Sequence, residues 1–217
     1  MRVELVSLTQ PNIVGVGTAE QLIAYCARVS NPSNQHNNDT APRLLRFLIR
    51  NKHWSPFEMA SMCVSIETSR AIAAQILRHR SFSFQEFSQR YAAVDQGAIE
   101  PVELRMAGST NRQSSTDKVD DEKYDLMLQH SVKSSFETYD YLVNHGVATE
   151  TARMVLPLCT KTKLYMNGTI RSWIHYLQIR CDHHVQKEHR EIAEEIREIM
   201  KIHFPNVYEA VFEEPDL

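Results

Sequence analysis

The stretch from residue 75 to 91, QILRHRSFSFQEFSQRY, holds a dense set of side chains able to bind and polarise a ligand. On a helix, at ~100° per residue, Gln75 and Arg78 share one face, His79 lies near its edge and Arg80 points well away. If the helix continues to Arg80, the two arginines cannot serve one small ligand within a single subunit. After Arg80 the pattern alternates strictly. An extended chain there puts Glu86, Ser88 and Arg90 on one side and Phe87, Gln89 and Tyr91 on the other. A carboxylate, a hydroxyl and a guanidinium together suit a ligand carrying hydroxyls and a phosphate, which arginine grips through paired hydrogen bonds. The same residues also read as a charged strand edge with Arg90 paired to Glu86.

A second group lies in TIRSWIHYLQIR, residues 169–180. Helical spacing puts Arg171, His175 and Gln178 on one face and Arg180 on nearly the opposite side, beside Trp173. Such a helix can serve two ligands at once. Alternatively, Arg180 only caps the helix C-terminus, where a cation is favoured.

Other chemistries fit less well. The four cysteines (Cys26, Cys63, Cys159, Cys181) form no CxxC pair, and the first three fall in segments that read as core. GVGTAE at 15–20 lacks the third glycine of a dinucleotide fingerprint and reads as the loop entering a helix. Asp182, His183, His184 and His189 invite a metal. Yet His184 and His189 are five apart and do not converge on one helical face, so no metal site is expected. A formal charge of −3 argues against a general nucleic-acid binder, and Phe82, Phe84 and Phe87 read as core or interface rather than base platforms.

The elements that must position these groups predict an α+β protein. Strands are expected at Arg2 to Leu8, Ala60 to Thr68 and Thr160 to Met166, where apolar residues alternate. Helices are expected at Thr18 to Val29, from Thr40 or Ala41 through Leu48, at Arg70 to about His79, at Asp121 to His145 with Gly146 as C-cap, at Thr149 to Val155, and at 169–180 and 185–203. The longest of these repeats Tyr124, Leu128, Val132, Phe136, Tyr139 and Val143. Residues 31–40 and 108–121 read as loops, the latter mobile, and a short Pro-bounded tail closes the chain. One domain over residues 1–217 is expected, with 42% hydrophobic and 24% charged residues. No apolar run nears the ~20 residues that span a bilayer, and no signal peptide is visible, so a cytoplasmic place away from membranes is expected.

RHRSFSFQEFSQRY resembles the signature of flavin-dependent thymidylate synthases, the ThyX family: Arg-His-Arg, seven residues, then Ser. Arg78, His79, Arg80 and Ser88 match it, followed by Arg90–Tyr91. KHWSPFE at 52–58, ARMVLP at 152–157 and the 169–180 helix resemble further family segments, in the right order. The family often has Asn where this chain has Gln85, Thr169 and His175. The resemblance implies a ThyX-like fold, a central antiparallel or mixed sheet flanked by helices, in a homotetramer with shared active sites. It implies that Gln75, Arg78, Glu86, Ser88, Gln89, Arg90, Arg153 and Arg180 line a dUMP site. Ser55, Arg78, His79, Arg80, Glu86, Thr169, Arg171 and His175 would touch FAD, with His53 beside flavin and folate. The implied reaction methylates dUMP with 5,10-methylenetetrahydrofolate and NADPH-reduced flavin, Arg180 activating the pyrimidine. An enzyme that hydroxymethylates a pyrimidine nucleotide would share both sites.

Overall fold

A computed structural model describes every residue except 96, 110, 112, 113 and 214–217. Along the chain come β1 (Arg2–Leu8), α1 (Ala19–Ala27), α2 (Ala41–Arg50), β2 (Ser61–Ser69), α3 (Arg70–Ile76) and β3 (Ser83–Glu86). There follow β4 (Arg105–Ala107), β5 (Ser115–Lys118), α4 (Glu122–Asn144), α5 (Thr149–Ala152), β6 (Lys161–Thr169), α6 (Ile170–Arg180), α7 (Lys187–His203) and α8 (Pro205–Tyr208). The class is α+β. Among the described residues no helix is long and apolar enough to cross a membrane.

The main sheet runs β1-β2-β6-β3, and each neighbouring pair is antiparallel. One face of its central strands is apolar: Met62, Val64 and Ile66 on β2 and Leu164 and Met166 on β6 are fully buried. Against that face pack Ile72 and Ile76 of α3, Trp173 and Leu177 of α6, and Ile192 and Ile196 of α7. The other face carries Lys161, Tyr165 and Asn167, all exposed, as alternation dictates.

β2 and β6 each run straight into a helix, α3 and α6. Both helices are capped by the strand's last hydroxyl: Ile72 N donates to Ser69 Oγ at 3.3 Å and Ser172 N to Thr169 Oγ1 at 3.3 Å. Because the strands are antiparallel, Ser69 lies opposite Lys161 and Thr169 opposite Ser61. The two helices therefore start from opposite ends of the strand pair and run back towards each other, so that their C-terminal ends meet.

Several boundaries differ from the sequence expectation. α1 ends at Ala27, so Val29 is outside it and 69% exposed, while Thr18 and Gln21 close a capping box at its start. Tyr124 is exposed rather than core: Val132, Phe136 and Tyr139 of α4 are buried with Val94 and Ala152, and Leu128, Leu142 and Val143 are half-buried against them. Gly146 does take the expected C-terminal place, with φ 84°. Within the supposed loop 108–121, Ser115–Lys118 pairs with Arg105–Ala107 as a hairpin, pinned by Arg105 to Glu188 at 2.7 Å and to Glu103 at 3.1 Å. Residues 110, 112 and 113 of that loop fall outside the described residues. The expected tail instead forms α8 and a π-turn, Glu209–Glu213, and its last residues, 214–217, are likewise outside. Buried Glu20 anchors it, accepting from Val207 N at 2.8 Å and Asn206 Nδ2 at 2.7 Å.

Gly168 on β6 is required by a close approach. A Cβ there would stand 2.6 Å from Phe82 Cε1, and Phe82 packs on Trp173 at 4.6 Å between ring centroids. Gly168→Ala should therefore lower stability by about 1–3 kcal/mol by overpacking, read from urea unfolding midpoints; an unchanged midpoint would mean the ring moves aside freely.

Candidate active site

At the meeting of the two helix ends, Arg180 Nε donates to His79 Nε2 at 2.9 Å. A guanidinium only donates, so Nε2 carries the lone pair and the imidazole is neutral, protonated on Nδ1. Burial is the main cause holding the His79 pKa down at about 4, followed by the charges of Arg180, His175 and Arg78. Tying Nε leaves both terminal nitrogens of Arg180 to address a ligand. The expected helix 70–79 stops at Ile76, and Arg78, His79 and Arg80 lie on the turn beyond it. Arg78 and Arg80 are exposed.

Beneath that pair runs a hydrogen-bond chain, buried at one end and open to solvent at the other, that the sequence did not reveal. Tyr176 Oη meets His189 Nε2 at 3.0 Å, and His189 Nδ1 meets Gln75 Oε1 at 3.2 Å. Gln75 Nε2 in turn donates to Gln186 Oε1 at 2.7 Å. The amide oxygen of Gln75 can only accept, so His189 is also the Nδ1–H tautomer, with Nε2 accepting from Tyr176. Burial, ahead of the charge of Arg180, holds His189 at about 3, and burial pushes the Tyr176 phenol up.

On the far side of α6 lies a cavity of about 460 Å³, within the range of small-molecule sites. Trp54, Glu58, Thr169, Arg171, His175 and Gln178 line it, together with Ser81 of the turn before β3. The face read from helical spacing, Arg171, His175 and Gln178, is the face that opens here. Arg171 is paired with Glu58, and Thr169 Oγ1 is engaged in capping α6. Ser55 begins the 3₁₀ turn that brings Glu58 to Arg171, and exposed His53 sets its ring edge-on to Phe47 at 6.0 Å.

The extended reading of 80–91 holds only as far as β3. Tyr91 N and Ala92 N both donate to Ser88 O, at 3.1 and 3.0 Å, so a turn breaks the alternation after Glu86. Glu86 Oε1 accepts from Arg70 Nη1 at 2.6 Å and from Thr162 Oγ1 at 3.0 Å, not from Arg90. Arg90 pairs instead with Glu150 at 3.1 Å, and Arg153 Nε donates to the Glu150 carbonyl at 3.3 Å. Gln89 is buried, and its Nε2 has no hydrogen-bond partner in the described structure. Ser88 is exposed.

The chain thus gathers its candidate residues into three groups. Gln75, His79 and Arg180 meet at the helix ends; Thr169, Arg171 and His175 line the cavity; Arg90 and Arg153 meet at Glu150. Sequence reasoning missed Tyr176, His189, Gln186, Trp54, Glu58 and Glu150. Glu58 and Trp54 were within reach, since both belong to KHWSPFE; for the others no local pattern exists. Asp182, His183 and His184 do bring ligand atoms within 4.8 Å of one another on an exposed turn, whereas His189 is buried among the helices. The four cysteine thiols are all pushed up by burial, and all are free.

Comparison with known proteins shows the family to which the chain belongs. Residues 13–206 match the family model described as "Thymidylate synthase complementing protein". A flavin-dependent thymidylate synthase of Synechocystis sp. is 50% identical over 217 residues, covering 97% of this chain and 99% of that protein. A probable flavin-dependent thymidylate synthase of Paramecium bursaria Chlorella virus 1 is 49% identical over 214 residues, with the same coverage. A UMP/dUMP methylase of Streptomyces cacaoi, solved with 5-Br dUMP, superposes with a TM-score of 0.83 at 28% identity, covering 96% of this chain and 93% of that one. By both the extent and the level of these matches, the chain belongs to the thymidylate synthase complementing protein family, the flavin-dependent thymidylate synthases.

Proposed function

We propose that this chain converts dUMP to dTMP by reductive methylation in the cytoplasm. 5,10-Methylenetetrahydrofolate is the carbon donor and NADPH the reductant. The observation that carries this reading is the Arg180–His79 bond, which supplies a fixed, positively charged fork in a chain of this family. dUMP is held by Gln75, Arg78, Glu86, Ser88, Gln89, Arg90 and Arg153, with Arg180 over the pyrimidine. Arg180 would stabilise negative charge drawn onto the pyrimidine, which makes C5 nucleophilic towards the folate methylene. No cysteine is needed at C6, and thiols raised by burial are poor nucleophiles.

The cavity on α6 suits FAD, because it joins a cation, Arg171, and the polar groups of His175 and Gln178 to the apolar walls of Trp54 and Ile174. Ser55, Thr169, Arg171 and His175 hold the cofactor from one chain, and Arg78, His79, Arg80 and Glu86 from another, with His53 at the folate. FAD bound there, once reduced by NADPH, would supply the hydride that completes the methyl group. A homotetramer completes each site: Tyr91, Met154 and Leu158, at 93%, 76% and 70% exposure, are apolar side chains beside Arg90 and Arg153 that a second chain would cover.

Arg180→Ala should keep its flavin absorbance while kcat falls on the order of 10²–10³. Arg180→Lys should recover little, since an ammonium cannot hold His79 and present a fork as well. Full turnover in either variant would remove Arg180 from the chemistry. Mass analysis should find the product of dUMP at the mass of dTMP; a hydroxymethylated nucleotide would overturn the methylation reading.

The buried histidines predict a pH dependence. Their folded pKa values, about 4 and about 3, lie below the ordinary 6.5, so the unfolded chain binds more protons at acid pH. The contribution of these two groups to stability should be level above pH 6.5 and fall as pH drops from there towards 3. His189→Gln should shallow the fall between 6.5 and roughly 5, above the range of ordinary carboxylates. Melting curves of identical acid slope would show that His189 is not held neutral.

A further inference from the structure

α7 turns Ile192, Ala193 and Ile196 to the core, all fully buried, and His189 continues that stripe one turn earlier, equally buried. A leucine at 189 would extend the stripe with no polar group to satisfy. The imidazole instead joins Tyr176 of α6 to Gln75 of α3, bonded at both ring nitrogens. A buried polar group that is fully bonded fixes an arrangement as much as it stabilises one.

The chain of bonds has a direction, and its solvent end sets it. Glu188 Oε2 accepts from Gln186 Nε2 at 2.9 Å and from Arg105 Nη2 at 2.9 Å. A carboxylate donates nothing, so the nitrogen of the Gln186 amide faces Glu188 and its oxygen faces Gln75. That oxygen takes Gln75 Nε2 at 2.7 Å, which leaves the Gln75 oxygen turned to His189 Nδ1 at 3.2 Å. Reversing one link alone would set two donors or two acceptors face to face. Gln75 is half-buried, three residues before Arg78 and four before His79. Its amide nitrogen carries two hydrogens; Gln186 takes one, and the other has no partner among the described residues.

We propose that His189 is a positioning residue for the nucleotide: by holding the Gln75 oxygen inward it makes that side chain a fixed donor to an oxygen acceptor of dUMP. The inference rests on the reading of Gln75 as a dUMP ligand. His189, wholly buried, touches no ligand itself and acts through Gln75. The chemistry it favours is an acceptor oxygen, whether of phosphate or carbonyl. A hydrogen-bond donor at the same place would meet the N–H head on.

A double-mutant cycle on the flavin-loaded enzyme tests this. His189→Leu should raise KM for dUMP about three- to tenfold, the worth of one oriented hydrogen bond. kcat, flavin content and KM for methylenetetrahydrofolate should stay within about twofold, since only ground-state binding of the nucleotide is weakened. His189→Asn, which can still donate near the place of Nδ1, should restore most of the loss. With Gln75→Ala already present, His189→Leu should raise KM no further. If His189→Leu does not fold, Gln186→Leu at the exposed end removes the acceptor of Gln75 Nε2 and should repeat the pattern. An unchanged KM for dUMP, or an equal rise with and without Gln75, would overturn the proposal. A native KM in Gln75→Ala alone would instead strike the placing of Gln75 at the nucleotide.

Discussion

The bond from Arg180 to His79 works only if the imidazole is neutral, and the rings packed around it serve that condition. α3 and α6 span roughly 10 and 16 Å at 1.5 Å per residue, while the strand pair they launch from spans roughly 30 Å. Two helices running inward from opposite ends therefore bring their last residues together. Both C-terminal ends carry partial negative charge, which favours the guanidinium placed between them. The rings around His79, Tyr176 at 4.8 Å and Phe82 at 6.4 Å, supply the burial that keeps it uncharged. Gly168 leaves the space for Phe82. A strand glycine, a phenylalanine, a neutral imidazole and a guanidinium thus form one chain of dependence from sheet to site.

What the sequence made legible follows from periodicity. Alternation in β2 and β6 and the two faces of α6 are properties of single elements. Helical geometry alone assigns Arg171, His175 and Gln178 to one side and Arg180 to the other, and that division holds in three dimensions. The failures are places where a distant residue decides a local conformation. Glu86 is held by Arg70 and Thr162, sixteen and seventy-six positions away, so it could not be shared with Arg90. Arg90 turns to Glu150, sixty positions on, and Thr149 Oγ1 donates to its carbonyl at 2.7 Å, fixing the turn that ends the extended stretch. The β4–β5 hairpin is pinned by Glu188 of α7, eighty-three positions from Arg105. The chain from Tyr176 through His189 to Gln75 draws on three elements and has no local signature.

The partners of the candidate arginines differ in a way that bears on mechanism. Arg171 rests on Glu58 and Arg90 on Glu150, both exposed carboxylates, and Arg153 on a backbone carbonyl. Exposed ion pairs contribute only about 0–1 kcal/mol, so an incoming phosphate can displace them at little cost, and the side chains wait near their working positions. Their charges are already partly balanced, which suits groups that bind and orient. Arg180 is held differently. Its partner is an uncharged ring, so orientation is obtained without neutralisation, and its charge stays available beside the buried ring of Tyr176. A carboxylate in place of His79 would fix the guanidinium as firmly but cancel the field that, in the proposed reaction, the pyrimidine anion would need. Holding a cation with a neutral acceptor separates the positioning of Arg180 from the quenching of its charge, and that separation marks it as the arginine suited to act on the transition state rather than on the ground state.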